Sequence, residues 1–126
     1  MLIKALDHLV LTVSDIAATC EFYERVLQCE IVTFGDNRTS LRCGDQKINL
    51  HQSGAEFFPC AGQPTPGSAD LCFITETAID DLIDHLNNCG VAIEEGPVER
   101  TGARGPIRSV YFRDPDQNLI ELSNCL

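Results

Sequence analysis

Residues 6–13, LDHLVLTV, and residues 69–75, ADLCFIT, are the two stretches on which the fold turns. In the first, His8, Val10 and Thr12 fall on one face and Asp7, Leu9, Leu11 and Val13 on the other, the two-residue period of a strand. Laying His8 over Asp70 places Leu9 and Leu11 on Leu71 and Phe73. In the same order, with offsets that vary as the breaks between elements lengthen, LQCEI (27–31) falls on NNCGVAI (87–93) and KINL (47–50) on LIEL (119–122). An internal repeat with a period of about 60 residues follows, and neither copy can bury its sheet alone.

Working outward from the first copy, Ser14 or Asp15 supplies an N-cap. Ile16, Thr19, Phe22, Tyr23, Val26 and Leu27 then recur at helical spacing, which predicts a helix to about Cys29. EIVTFG, RTSLRCG and KINLHQ read as three strands broken at Gly35, Asp36, Asn37, Gly44 and Asp45. The second copy repeats this order. ADLCFIT is a strand, and TETAIDDLIDHLNNCG carries Ile79, Leu82, Ile83 and Leu86 on one helical face and ends on a C-cap at Gly90. VAIEEG, IRSVYFRD and NLIELSN supply the remaining strands. Between the copies SGAEFFPCAGQPTPGS has three prolines, three glycines and no period, so it is a connector. The expected fold is α+β, one domain over 1–126 built of two βαβββ modules at 1–53 and 68–126 joined through 54–67.

Composition narrows the class. At 126 residues, 44% hydrophobic and 22% charged, the chain is long enough for a core without staples. Nineteen acidic against nine basic residues give a net charge of −10, which repels phosphate backbones and anionic lipid, so neither nucleic acid nor membrane is the expected partner. The seven cysteines have neither CxxC nor zinc-knuckle spacing and read as reduced thiols of a cytoplasmic protein. The N-terminal apolar run contains Asp7 and His8 and lacks a small-residue cleavage site, so no export signal is read there. GxSxG, Walker and dinucleotide-binding motifs are absent.

DHLVLTV (7–13), FYERVL (22–27), INL (48–50) and above all RDPDQNLIEL (113–122) resemble, in this order, the vicinal oxygen chelate superfamily of glyoxalase I, fosfomycin-resistance proteins, bleomycin-resistance proteins and extradiol dioxygenases. RTGARGPIRSVYFRDPDQNLIELSN and PTPGSADLCFIT are similar, more narrowly, to a branch labelled glyoxalase-domain or virulence-associated proteins. The resemblance implies a curled mixed sheet around an open cleft that holds a divalent ion, with side chains from the first and last strands of each module as ligands. Carried over residue by residue, those positions fall on His8, Asn49, Asp70 and Glu121. His8, Asp70 and Glu121 are the implied metal ligands, imidazole with carboxylates, suited to Mn, Fe, Ni or Zn. Asp70 stands where the family commonly has histidine, which makes the site richer in oxygen. Asn49 offers only a neutral oxygen and is assigned to the substrate. His51 shares the face of Asn49 by alternation and is a candidate, with Asp70, for acid–base work.

Each assignment has a plainer counterpart. His8 and His51 could be hydrogen-bonded strand residues, Asp70 could satisfy loop amides, and Cys72 could be a small structural thiol. His85, beside Asp81 and Asp84, reads as surface. Arg100, Arg104, Arg108 and Arg113 crowd into fourteen positions of an acidic chain. Arg100 and Arg104, in the glycine-containing loop ERTGARGP, are therefore assigned to an anionic substrate by their guanidinium forks, against the alternative of loop charges paired with Glu94, Glu95 and Glu99. Arg113 reads as part of the Asp114-Pro115-Asp116 turn. The resemblance thus implies a metal-dependent lyase or isomerase of a small, oxygen-rich anion, working as a homodimer. Ring-cleaving dioxygenase chemistry fits less well without the second histidine. The competing reading is a non-catalytic binding or resistance protein of the same fold.

Overall fold

A computed structural model describes all residues 1–126 and contains β1 (His8–Val13), α1 (Ile16–Arg25), β2 (Glu30–Phe34), β3 (Arg38–Cys43), β4 (Gln46–Gln52), β5 (Asp70–Ile74), α2 (Ile79–Asn88), β6 (Glu95–Gly102), β7 (Gly105–Arg113) and β8 (Leu119–Cys125). The chain divides into two compact units, Met1–Pro66 and Gly67–Leu126, each with one helix and four strands in βαβββ order. In the first unit the sheet order is β1-β4-β3-β2, and in the second β5-β8-β7-β6. The first strand of each unit runs parallel to the last, and the other pairs are antiparallel.

The strand registers reproduce the repeat read from sequence. Val10 pairs with Asn49 and Thr12 with His51 in the first unit, as Cys72 pairs with Glu121 and Ile74 with Ser123 in the second. His8 therefore occupies in its sheet the place that Asp70 occupies in the other.

Alternation sends one face of each sheet to its helix. In the first unit Leu11, Val13, Leu41, Ile48 and Leu50 are buried with Phe22, Tyr23 and Val26, and α1 lies against β2, β3 and β4. In the second, Val110, Phe112, Ile120 and Leu122 are buried with Ile79, Leu82 and Leu86, and α2 lies against β7. Each of these aliphatic or aromatic side chains stabilises its unit by roughly 1.5–3 kcal/mol relative to exposure. Asp15 caps α1, accepting from the Ala17 and Ala18 amides. Gly90 ends α2 at φ +73, a left-handed turn in which the Val91 amide reaches the Leu86 carbonyl.

Four local expectations are corrected. The first helix stops at Arg25, three residues before a left-handed Gln28, which frees Cys29 from the helix. Cys29 and Cys43 are disulfide-bonded rather than reduced, because Glu30 pairs with Arg42 and so sets the two cysteines opposite each other with Cα atoms 4.7 Å apart. The sixth strand is EGPVERTG rather than VAIEEG, and ERTGARGP is part of a β-hairpin rather than a loop, closed where Gly102 faces Gly105.

The motif RDPDQNLIEL folds into a hydrogen-bonded knot. Buried Asp114 accepts from the Asp116 and Asn118 amides through Oδ1 and from the Asn118 side-chain amide through Oδ2. Asn118 in turn accepts the Ala69 amide at 2.9 Å, and the Leu119 amide reaches the Ala69 carbonyl. The turn from β7 to β8 is thus tied to the residue before β5. Gly67 passes so close that a Cβ there would lie 2.5 Å from the Asp116 carbonyl oxygen, and its φ of +83 suits glycine.

Asn118→Ala leaves the Ala69 amide without its acceptor and strips the Asp114 carboxylate of a donor. It is expected to cost about 2–4 kcal/mol of unfolding free energy in denaturant titration, with the m-value unchanged. A loss below about 0.5 kcal/mol would show that the knot contributes little.

Candidate functional site

The faces turned away from the helices are polar, and they carry every residue selected from sequence except Arg104. On the first sheet His8 is exposed at the start of β1, and its Nδ1–H donates to the Asp7 carboxylate at 2.8 Å. That hydrogen bond, ahead of the imidazole's charge, holds the Asp7 carboxyl below its usual range. In the neutral ring the same bond puts the proton on Nδ1 and leaves Nε2 as the acceptor, the arrangement that metal-binding histidines use.

Asn49 and His51 lie further along this face on β4, with relative exposures of 6% and 2%. Arg38 donates to His51 Nε2 at 3.5 Å, and the ring meets Phe57 edge to face at 5.6 Å between centroids. Neither Asn49 Oδ1 nor His51 Nδ1 has a hydrogen-bond partner. Burial, then the Arg38 charge, pushes the His51 pKa down, opposed by Glu56.

On the second sheet Asp70 is exposed at the head of β5, and Glu121 sits opposite Cys72 one step further along. Ser109 Oγ donates to Glu121 Oε2 at 2.5 Å and lies 2.7 Å from Ser123 Oγ, which is 3.3 Å from Cys72 Sγ. A hydroxyl has a single proton to give. With that of Ser109 committed to the carboxylate, Ser123 donates to Ser109 and the Cys72 thiol to Ser123, so the chain of donors ends on Glu121. Desolvation of the sulfur, the largest cause, pushes the Cys72 thiol up and keeps it protonated, which suits this structural role better than a nucleophilic one, while the residue as a whole stands on the open cavity wall rather than in the core.

Glu121, Cys72, Tyr111 and Arg100 line a cavity of about 480 Å³ together with Ile74, Ile107 and the Thr101–Ala103 end of the hairpin. Arg100 Nε donates to the Tyr111 hydroxyl at 3.2 Å and Nη2 to Glu95 at 3.0 Å. The Tyr111 bond heads the causes that raise the Arg100 pKa. Burial raises the Tyr111 pKa against the pull of the Arg100 hydrogen bond, and the nearby Glu121 carboxylate adds to the rise. Arg104 is exposed in the turn between β6 and β7 and does not line this cavity. Arg113 is structural, bonded to Glu94 at 3.0 Å and to the Gln117 carbonyl. Tyr111, Ser109, Ser123 and Arg38 are not among the residues selected from sequence. The signal is there in the parity of IRSVYFRD, which puts Ser109 and Tyr111 on the face of Ile107, and in that of RTSLRC.

No three His, Cys, Asp or Glu side chains gather closely enough to hold an ion. The donors are nonetheless apt for one. His8 has its second nitrogen fixed by a carboxylate, and Glu121 has one oxygen held by a hydroxyl, the outer support that ligands of a divalent ion require. No helix is long and apolar enough to cross a membrane.

Residues 5–122 match the Glyoxalase/Bleomycin resistance protein/Dioxygenase superfamily, and the chain belongs to it. Within it, the chain is 61% identical over 123 residues to Virulence protein STM3117 of Salmonella typhimurium, covering 98% of this chain and 85% of that one. The crystal structure of that protein superposes with a TM-score of 0.98 over 100% of both chains at 60% identity. Glyoxalase domain-containing protein RDO1 of Mycosarcoma maydis is 54% identical over 122 residues, 97% of this chain and 69% of the relative. More distantly, fosfomycin resistance protein FosX of Listeria monocytogenes is 28% identical over 132 residues, 96% of this chain and 90% of its own. A point mutant of FosX from that organism, complexed with Mn(II) and 1S,2S-dihydroxypropylphosphonic acid, shares the fold at a TM-score of 0.66 and 22% identity, over 96% of this chain and 90% of that one.

Because His51 has a folded pKa below its ordinary 6.5, the unfolded chain binds the proton first as the pH falls. Its contribution to stability is therefore complete above about 6.5 and is lost as the pH drops from there toward the folded value. Urea midpoints measured from pH 8 to 5 should fall more steeply for the native chain than for His51→Gln. Ring-proton shifts should place the His51 midpoint below that of a model peptide, and a midpoint at or above the peptide value would refute the assignment.

Proposed function

We propose that this protein is a divalent-metal-dependent enzyme of lyase or isomerase type, glyoxalase-like, acting on a small, oxygen-rich, anionic molecule. The observation that carries the proposal is the Asp7–His8 pair, a carboxylate-oriented imidazole with its acceptor nitrogen on an exposed strand end. In this reading His8, Asp70 and Glu121 hold the ion, and the whole of 1–126 works as one functional domain in a homodimer, the ligands coming from this chain or shared with its partner copy. The Mn(II) in the FosX complex supports a hard divalent ion, for which two carboxylates and one imidazole are a suitable set.

When bound, the ion would act as a Lewis acid on adjacent substrate oxygens. The chain's own residues do the rest. Arg100, charged and steadied by Tyr111 and Glu95, orients the anionic group at the hairpin side of the cavity, and Arg104 adds charge from the turn. Tyr111 keeps its proton and can donate it to a substrate oxygen. Asp70, on the strand next to that of Glu121, is third ligand or base, and Asn49 and His51 contact the substrate from the first sheet, His51 as acid or base. A second reading, a non-catalytic binding or resistance protein, is favoured by one observation, that no three-ligand group is assembled. Divalent ion that survives purification at stoichiometric level, together with turnover that follows reloading, separates the enzyme from the binder.

Glu121→Gln is expected to lower metal occupancy in elemental analysis far more than Asp70→Asn, because it removes the carboxylate already set in place by Ser109. Equal retention in both variants would place the ion elsewhere. Sedimentation at micromolar concentration should show a dimer of the 13.8 kDa chain, and a monomer alone would contradict the assembly.

A further inference from the structure

We propose that Arg38, joined to His51 and Asn49 on the polar face of the first sheet, takes the carboxylate and adjacent hydroxyl of a small hydroxy acid. The inference rests on the proposed function in that Asn49 and His51 are its substrate contacts, and it names the substrate class for them from the geometry of the first unit without calling on the metal.

Arg38 is half-buried, yet it meets no carboxylate at ion-pair distance. Its guanidinium lies 4.6 Å from the centroid of Phe57 and 5.3 Å from that of Phe34, and its one hydrogen bond goes to His51. In a chain with ten more acidic than basic residues, a guanidinium held between two phenyl rings with no counter-charge is set for an anion from outside. Glu56, the acidic group that bears on His51, accepts the Gly54 amide instead. Lys47 adds a second positive charge, with Nζ 3.9 Å from the Phe34 centroid.

The two orphaned atoms define what the anion must carry. A guanidinium only donates, so the bond from Arg38 makes His51 Nε2 an acceptor, and the proton of the neutral ring sits on Nδ1. That buried N–H has no acceptor, and buried Asn49 Oδ1 has no donor. The two residues are two apart on β4, about 6.8 Å by strand rise, so a molecule of two or three carbons spans them. Its hydroxyl would donate to Asn49 while its carboxylate accepts from His51 and Arg38, satisfying groups that are costly to leave bare. Phe57, which covers His51 from the connector, is 37% exposed and is the ring that must swing aside for entry.

The test is a ¹H–¹⁵N NMR titration of the full chain stripped of metal with EDTA. Probes are lactate, propionate without the hydroxyl, neutral lactamide, and hydroxymethylphosphonate. Lactate should give saturable shifts at His51 Nδ1–H and Arg38 Nε–H, with propionate weaker and lactamide silent. Arg38→Gln should raise the lactate Kd about tenfold or more, and Arg38→Lys, which keeps the charge and loses the fork, should recover part of it. Equal binding of lactamide, or an unchanged Kd in a folded Arg38→Gln protein, overturns the site. Propionate binding as tightly as lactate overturns the role of the hydroxyl, and a tighter phosphonate overturns the choice of carboxylate. Shifts that appear only after Zn(II) is restored also overturn it while leaving the metal reading standing. Lactate shifts at Arg38 in a protein that never retains an ion would do the reverse.

Discussion

The hydrogen bonds that Asp114 and Asn118 exchange, and the one that Asn118 makes to the Ala69 amide, set the second unit's register. A strand pair that slips by one residue turns each side chain to the opposite face. With Ala69 tied to Asn118 and Leu119, Asp70 must pair with Leu119 and Cys72 with Glu121. Glu121 is then delivered to the cavity rather than to the helix side, within reach of the Ser109 hydroxyl on β7. The Asp-Pro-Asp-Gln-Asn sequence supplies what this requires: a carboxylate that accepts three N–H groups, a proline at the turn, and an amide able to donate and accept at once.

The two-residue alternation of LDHLVLTV and ADLCFIT, with the helical spacing that follows each, is enough to give the βαβββ duplication and the shared face of Asn49 and His51, though not the strand that carries Arg100, which reads as loop. It is enough because a two-residue period and a three-to-four-residue period leave different marks in a chain of this polarity. What escapes are features that arise between strands. Cys29 and Cys43 are distant in sequence and become neighbours only when β2 and β3 pair. The hairpin of β6 and β7 contains Gly96, Pro97, Gly102 and Gly105, residues whose local preference is for turns, and only the pairing of the two strands with each other draws them into the sheet. Arg38 looks ordinary in the sequence because nothing local reveals that no acid reaches it. The family motif RDPDQNLIEL is legible as a pattern, while the bond from Asn118 to Ala69, which explains the pattern, is not.

The two polar faces have diverged in charge while keeping one geometry. The first presents Arg38, Arg42, Lys47 and two histidines, with Glu30 as its strand acid, and the second presents Asp70, Glu95 and Glu121 with Arg100 and Arg113. A chain that is strongly acidic overall therefore keeps one basic sheet face, where long-range repulsion of anionic molecules is locally reversed.

Matched registers in the two halves also give the molecule a coordinate system of its own. His8 answers to Asp70, Asn49 to Glu121 and His51 to Ser123, so a residue on the parallel strand pair of one polar face has a counterpart at the same register in the other, while the bulge in β6 breaks the match at the outer strands. Exchanging KINLHQ with LIELSN would move a donor set from one scaffold to its twin without disturbing the alternation that buries Ile48, Leu50, Ile120 and Leu122. The halves are interchangeable frames, and chemical individuality rests on a handful of side chains mounted in them.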